Sequence, residues 1–205
     1  MIGLIDAQSG NIGSVENALE YFDIKYSVIT NKSQFKPNMK LILPGIGSFR
    51  TLMRNLNELD LVHLIKESID QGSPFLGICV GMQVLLSTGW EEKRTAGLGI
   101  ISGQVVKIKK SNNIKVPIVS WIKIKPSKEG HISKIIQNCK EMSFYFSHSF
   151  YCEAQDEHDV VAYSEYKMKK YPAIIGRGNV YGVQFHPEKS RDSGLQVLKN
   201  FSEIC

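Results

Sequence analysis

Four cysteines in 205 residues (Cys79, Cys139, Cys152 and Cys205) show no C-x-x-C pair and no metal-ligand spacing. They are too few and too scattered for a disulfide framework or a zinc site, which leaves a reducing cytosol as the default compartment. Long apolar runs are also missing. The richest, Pro74 to Leu86, carries Gln83 and is too short to span about 30 Å of hydrocarbon. The opening MIGLID has no basic stretch and is interrupted by Asp6, so it reads as a first strand rather than a signal peptide. There is no repeat period and no low-complexity block. With 42% hydrophobic and 22% charged residues the composition excludes disordered and fibrous classes. A chain of this length fits one domain and buries about 70% of its extended-chain surface.

What is present divides into two halves. In the first, strand-like runs alternate with helical spacing. Ile2–Asp6 reads as a strand, Ser14–Phe22 as a helix, Lys25–Thr30 as a strand, and Lys40–Leu43 as a strand ending on Pro44-Gly45. Two helices over Leu52–Leu59 and Leu61–Ile69 follow, then a continuous apolar strand at Pro74–Ile78 and helical spacing over Val80–Leu86. That alternation implies a parallel sheet covered on both faces. The second half is richer in β-structure, with strands expected at Val105–Ile108, Val116–Ile124, Ser143–Phe150, Val160–Tyr166, Ala173–Arg177 and Val180–Phe185. A last helix is expected near Gly194–Phe201, and loops at Ser111–Asn113 and Gln155–His158. The expectation is an α/β fold with a central mixed, mostly parallel sheet flanked by helices.

The sharpest chemical feature is Gly77-Ile78-Cys79-Val80-Gly81, between an apolar strand and a helix. It has the form glycine, any residue, nucleophile, any residue, glycine. A tight strand-to-helix turn crowds its flanks, so the positions two residues to either side do best without a Cβ. At a helix N-terminus, free N–H groups can hold a developing oxyanion and suit a reactive thiol. A buried structural thiol is the competing reading. The turn context favours the nucleophile.

A cysteine nucleophile needs a base, and the base needs something to orient it. Gln184-Phe185-His186-Pro187-Glu188-Lys189 follows a strand, and residues two apart in extended chain share a side, so His186 and Glu188 can face one site. Alone, His-Pro-Glu reads equally as a surface histidine beside a solvated acid. A third element, Pro44-Gly45-Ile46-Gly47, can present backbone N–H groups to an anionic oxygen or can be a plain tight turn. The phosphate-loop reading fails because no G-K-[ST] follows, and Ser9–Gly13 lacks the dinucleotide spacing.

Taken with LPGIGSF (Leu43–Phe49), GICVGMQVLL (Gly77–Leu86), GLGI (Gly97–Ile100), FYFSHSF (Phe144–Phe150), YGVQFHPEKS (Tyr181–Ser190) and LKNF (Leu198–Phe201), the chain resembles the class I, triad-type glutamine amidotransferases from end to end. The resemblance implies one glutamine amidotransferase domain over residues 1–205. It implies Cys79 as the nucleophile attacking the glutamine amide, His186 as proton acceptor and donor, and Glu188 behind it. Backbone N–H groups of Ile46 and Val80 would form the oxyanion hole, with a peptide flip at Gly45–Ile46 as a means of control. Gly45, Gln83 and Glu91 match substrate-binding positions, Glu91 holding the amino group, and Ser147-His148-Ser149 matches the segment along the substrate. For Gln83 a helix-surface amide, for Glu91 a solvated acid and for His148 a satisfied core histidine are the plainer alternatives. The resemblance implies no cofactor and no metal. It also implies a separate synthase or cyclase chain, a (β/α)₈ barrel, as ammonia-receiving partner in a heterodimer, with Asn11 and Trp121 on the partner-facing side. No nucleic acid or membrane is expected.

Two segments depart from the family. Its P-H-x-G-W-N stretch reads Pro117-Ile118-Val119-Ser120-Trp121-Ile122 here, and its D-Y-G reads Asp6-Ala7-Gln8. Neither carries the nucleophile, so the departures bear on the ammonia acceptor. A paralogue supplying another acceptor, such as a surface sugar being amidinated, is the alternative. A stand-alone γ-glutamyl cysteine hydrolase would use the same three residues without a partner, and a binding protein would have no use for His-Pro-Glu. Lysines concentrate at 107, 109 and 110, at 123, 125 and 128, and at 167, 169 and 170, with little arginine. A solvated face, a nucleic-acid surface and a dock for an acidic partner are the three readings.

Overall fold

The structure, a computed structural model, describes residues 1–8, 12–127 and 134–204. Ser9, Asn11, Lys128 and Cys205, named above, lie outside the described residues. In chain order the elements are β1 (Ile2–Ile5), α1 (Ile12–Glu20), β2 (Tyr26–Ile29), β3 (Lys40–Gly45), α2 (Phe49–Glu58), α3 (Leu61–Asp70), β4 (Phe75–Cys79) and α4 (Val80–Gln83). There follow β5 (Leu86–Trp90), β6 (Arg94–Ala96), β7 (Ile101–Lys107), β8 (Ile118–Pro126), β9 (Ser143–His148), β10 (Phe150–Ala154), β11 (Val160–Tyr166), β12 (Lys169–Arg177), β13 (Val180–Val183) and α5 (Arg191–Glu203).

A nine-stranded sheet runs β2-β1-β3-β4-β13-β12-β11-β8-β9. Pairing is parallel from β2 to β13 and antiparallel from β13 to β9. The sheet is mixed as expected, but parallel pairs do not predominate: four of each kind join its strands. The inner strands are apolar on both faces, with β1 and β4 buried at every residue, because helices cover both sides. The helices are amphipathic. In α2 Leu52, Met53 and Leu56 are buried, and Ser48 caps its N-terminus by accepting the Thr51 N–H at 3.1 Å. In α5 Val197, Leu198 and Phe201 carry the apolar stripe.

A second sheet, β10-β7-β5-β6, differs from expectation. The helical spacing over Val80–Leu86 yields only one turn, α4, before Leu86 enters β5. Carbonyls of Val84 and Leu85 accept the N–H groups of Leu98 (2.7 Å) and Ile100 (2.9 Å), so that chain is tied to a distant loop instead of continuing the helix. Likewise the run Ser143–Phe150 is two strands rather than one. His148 pairs with Ile118 in the large sheet, while Phe150 pairs with Lys107 in the small one. Ser149 is where the chain changes sheets.

The register places the site. Gly45 pairs with Cys79, and Val183 with Ile78, so β3, β4 and β13 end along one edge. In open α/β sheets the carboxyl ends of parallel strands are where ligands are held. No helix among the described residues is long and apolar enough to cross a membrane.

Candidate active site

Cys79 closes β4 in a strained backbone, φ 55° and ψ −107°, with no side-chain cap bond to α4. Left-handed φ at a non-glycine residue costs on the order of 1–3 kcal/mol and persists only where the surroundings enforce it. Here the enforcement is steric. A Cβ on Gly77 would run into the Gly81 carbonyl, and one on Gly81 into the Leu43 carbonyl of the next strand. With both flanks bare, the turn closes and the thiol is set at the sheet edge. Val80, first residue of α4, has an N–H with no carbonyl inside the helix to receive it. Because α4 is one turn, the contribution is that of local N–H groups, and the helix dipole adds little.

His186 follows β13 and is 4% exposed. Its Nδ1 and Glu188 Oε1 are 2.9 Å apart, with both side chains almost wholly buried. Burial works against the imidazolium, but hydrogen bonds to the Cys79 thiol and to Glu188, with their charges, outweigh it and push the ring up to about 10. A ring that holds a proton this readily suits the acceptor of a thiol proton. The cavity in front of it, about 410 Å³, is lined by Ile46, Gly47, Cys79, Val80, Gln83, Glu91, Pro117, Tyr145, Ser147, His148, Ser149, Phe150, His186 and Lys189.

Several flanking residues are more engaged than a surface reading allows. Gln83 is buried, donating to the Phe150 carbonyl (3.2 Å) and to Gln184 Oε1 (3.1 Å). Gln184 in turn donates to Cys79 Sγ at 3.6 Å. Glu91 accepts the Phe49 N–H at the start of α2 at 2.8 Å. Burial raises its carboxyl, the Phe49 bond opposes that, and Glu92 adds to it. His148 is buried, and its Nδ1 meets the Phe150 carbonyl at 2.8 Å. Since a carbonyl only accepts, Nδ1 carries the proton, and Nε2 is a lone pair with no partner. Burial pushes this ring down to about 4, the Phe150 bond opposes, and the His186 charge adds to the fall.

Of the positions named from sequence, Gly45 and Glu188 sit behind the cavity wall rather than on it. Trp121 is outside it: the ring is 43% exposed on β8, with the Arg191 guanidinium 4.9 Å from its centroid and Tyr145 at 6.1 Å. The sequence reading gives Gln184 no role, and where it expects extended chain to align His186 with Glu188, a 3₁₀ turn over Pro187–Lys189 brings the two together instead. Tyr145, Phe150 and Lys189 also line the cavity without having been singled out. For Tyr145 the signal was alternation along β9 with Ser147.

Thiol, imidazole and carboxylate in series, at the carboxyl edge of parallel strands, define a cysteine-nucleophile hydrolase or acyl-transferase type of site. The comparisons narrow this. The profile of the family described as glutamine amidotransferase class-I matches residues 3–204, and the chain belongs to that family. It is similar to the imidazole glycerol phosphate synthase subunit HisH of Geobacillus sp. (strain WCH70), 41% identical over all of this chain and 97% of that one. It is also 39% identical, over the whole of both chains, to imidazole glycerol phosphate synthase subunit HisH 1 of Campylobacter jejuni subsp. jejuni serotype O:23/36 (strain 81-176). Among solved structures, one titled as a glutamine amidotransferase covers both chains fully with a TM-score of 0.74 at 18% identity. PurLQS from Thermotoga maritima gives 0.73 at 18%, covering 98% of this chain and 97% of that one. At such identity these two carry the fold.

Proposed function

We propose that this chain is the glutaminase subunit of an imidazole glycerol phosphate synthase, making ammonia from L-glutamine for a separate synthase chain in histidine biosynthesis. The observation that carries the chemistry is Cys79 and His186 on the wall of one cavity with Glu188 behind the ring, Nδ1 and Oε1 2.9 Å apart. The names of relatives about 40% identical over the full chain support the pathway.

Cys79 passes its proton to His186, and the sulfur attacks the side-chain amide carbon of glutamine. The oxyanion that forms is held by the N–H groups of Ile46 and Val80, at the ends of the paired strands β3 and β4. His186, kept in tautomer by Glu188, protonates the amide nitrogen as the C–N bond breaks, and ammonia leaves. Water then hydrolyses the γ-glutamyl thioester to glutamate. Gln83 and Gln184 brace the sulfur from behind, Glu91 receives the substrate's α-ammonium, and residues 147–149 line its backbone. The partner is a (β/α)₈ barrel chain docking over the mouth, near Trp121, and the compartment is the cytoplasm, where a thiol stays reduced.

One observation keeps a second acceptor in view. The stretch in which Ile118, Ser120 and Ile122 replace the family's His, Gly and Asn presents Val119 (55% exposed) and the retained Trp121 beside the mouth. A paralogue serving a sugar acceptor would differ at that rim. Glutamate release measured with the purified synthase chain and its phosphorylated imidazole precursor decides: at least a tenfold rise supports the histidine role. A rise with only a sugar acceptor and its synthase transfers the assignment, and a rate indifferent to any partner points to a stand-alone hydrolase.

A further inference from the structure

The net charge is not spread over the molecule. Lys109, Lys110 and Lys115 lie on the segment between β7 and β8, and Lys167, Lys169 and Lys170 on the β11–β12 hairpin. All six are exposed, and none is in an ion pair among the described residues. With Glu165, which pairs in register with Lys170 on the same hairpin, the corner carries a formal +5, equal to the net charge of the whole chain. The two turns meet: Asn112, Asn113, Lys115, Tyr166, Lys167 and Met168 line one depression of about 580 Å³. Six like charges so placed repel one another, and that repulsion is relieved by an anionic surface.

Two further features mark this corner. Lys167 and Met168 both take left-handed φ, 51° and 66°, the turn that Asn-Gly fills at least cost. The strained turn holds Met168 93% exposed between lysines. The register then fixes where the hairpin points. Ile174 of β12 pairs with Val183 of β13, antiparallel, and β13 pairs with β4 in parallel. The start of β12 therefore projects beyond the same edge at which β4 ends in Cys79. Two strand spacings of about 4.8 Å separate β13 from β11, so the lysine corner flanks the mouth of the site.

We infer that this corner is an electrostatic dock for an acidic face of the ammonia-receiving synthase chain, its lysines steering encounter and Met168 making the soft apolar contact at the centre. The inference rests on the reading of the chain as a glutaminase subunit. A protein face suits it better than nucleic acid: no arginine is in the cluster, and Tyr166, its one aromatic, is only partly exposed.

The test is stopped-flow association of this chain with its synthase subunit, for the unaltered protein and for the triple variant Lys167→Glu, Lys169→Glu, Lys170→Glu. The unaltered protein should associate about tenfold more slowly in 0.2 M than in 0.02 M salt, as screening shortens the reach of its charge. The triple variant should associate at least about tenfold more slowly than the unaltered protein in low salt, and equally in about 0.5 M salt. Its glutaminase activity without partner should be unchanged, since no altered residue lines the cavity; that activity also reports folding. If the variant fails to fold, the salt dependence of the unaltered protein and the triple Lys→Gln variant stand in for it. Equal low-salt rates for variant and unaltered protein overturn the inference while leaving the glutaminase reading intact. So does capture of a single-stranded oligonucleotide through these lysines with synthase association unaffected. Loss of the glutaminase reading itself would be visible separately, as partner-free activity that survives Cys79→Ala.

Discussion

Replacing Glu188 with glutamine isolates what its charge does. Its Oε1 stands 2.9 Å from Nδ1 of His186, and both side chains are about 95% shielded from water. Glutamine keeps the shape and can still accept at that position, so Glu188→Gln removes the charge and leaves the fold. In the proposed reaction the proton that His186 holds makes it an imidazolium facing that carboxylate. Opposite charges centred about 4 Å apart in surroundings of effective dielectric about 20 interact by about 4 kcal/mol. Losing that interaction from the transition state lowers kcat about 10³-fold. Glutamine binding does not use this carboxylate, so KM for glutamine should move by less than about threefold. The ring's proton affinity, held up partly by Glu188, should fall in the variant and be visible in an NMR titration of His186. The assay is glutamate release at saturating glutamine in the partner complex. A variant retaining more than about a tenth of the activity would refute the argument that this carboxylate stabilises the imidazolium.

Other outcomes follow from the same geometry. Gly81→Ala puts a Cβ into the Leu43 carbonyl, and thermal unfolding should show a loss of at least about 3 kcal/mol with activity gone, since backbone cannot yield as a side-chain tip can. Glu91→Gln should raise KM for glutamine at least about tenfold with kcat little changed, and cost about 1 kcal/mol of stability through the Phe49 N–H at the head of α2. His148 is pushed from 6.5 down to about 4, so its contribution to stability is complete above pH 6.5 and is lost as pH falls through 4. That is about 3 kcal/mol in denaturant titrations, and His148→Phe should flatten this acid limb. A limb unchanged by that substitution would contradict a buried neutral ring.

The elbow was legible in the sequence because its constraint is local. Two glycines flanking one cysteine between an apolar run and a helical one leave few other reasons for that spacing, and the clash each Cβ would meet is within the same turn or the adjoining strand. His186 and Glu188 were legible as a pair by their closeness in sequence, though a 3₁₀ turn over Pro187–Lys189 rather than extended chain brings them together. The distance from Cys79 to His186 depends on β13 pairing with β4 from a hundred residues away. Gln184 was not legible: its partner is a sulfur on another strand, and no local pattern names that. The second sheet was not legible. The helical spacing of Val80–Leu86 runs up to the start of β5, whose strand character comes from pairing with β7, Leu86 with Ile101 and Gly89 with Val105, a contact across the fold. Nor does an unbroken alternation from Ser143 to Ala154 announce that the chain changes sheets at Ser149. Equal numbers of parallel and antiparallel pairs in the large sheet follow from β8, β9, β11, β12 and β13 of the β-richer half joining it side by side, while β7 and β10 go to the small sheet.

The central claim concerns a covalent bond at one sulfur, and rapid-quench mass spectrometry of the protein turning over L-glutamine in complex with its synthase addresses it most directly. The account expects a γ-glutamyl adduct confined to the peptide containing Cys79, formed before glutamate appears and missing, along with the activity, in Cys79→Ala. Steady glutamate release with no adduct on that peptide, undiminished when the thiol is removed, would contradict it.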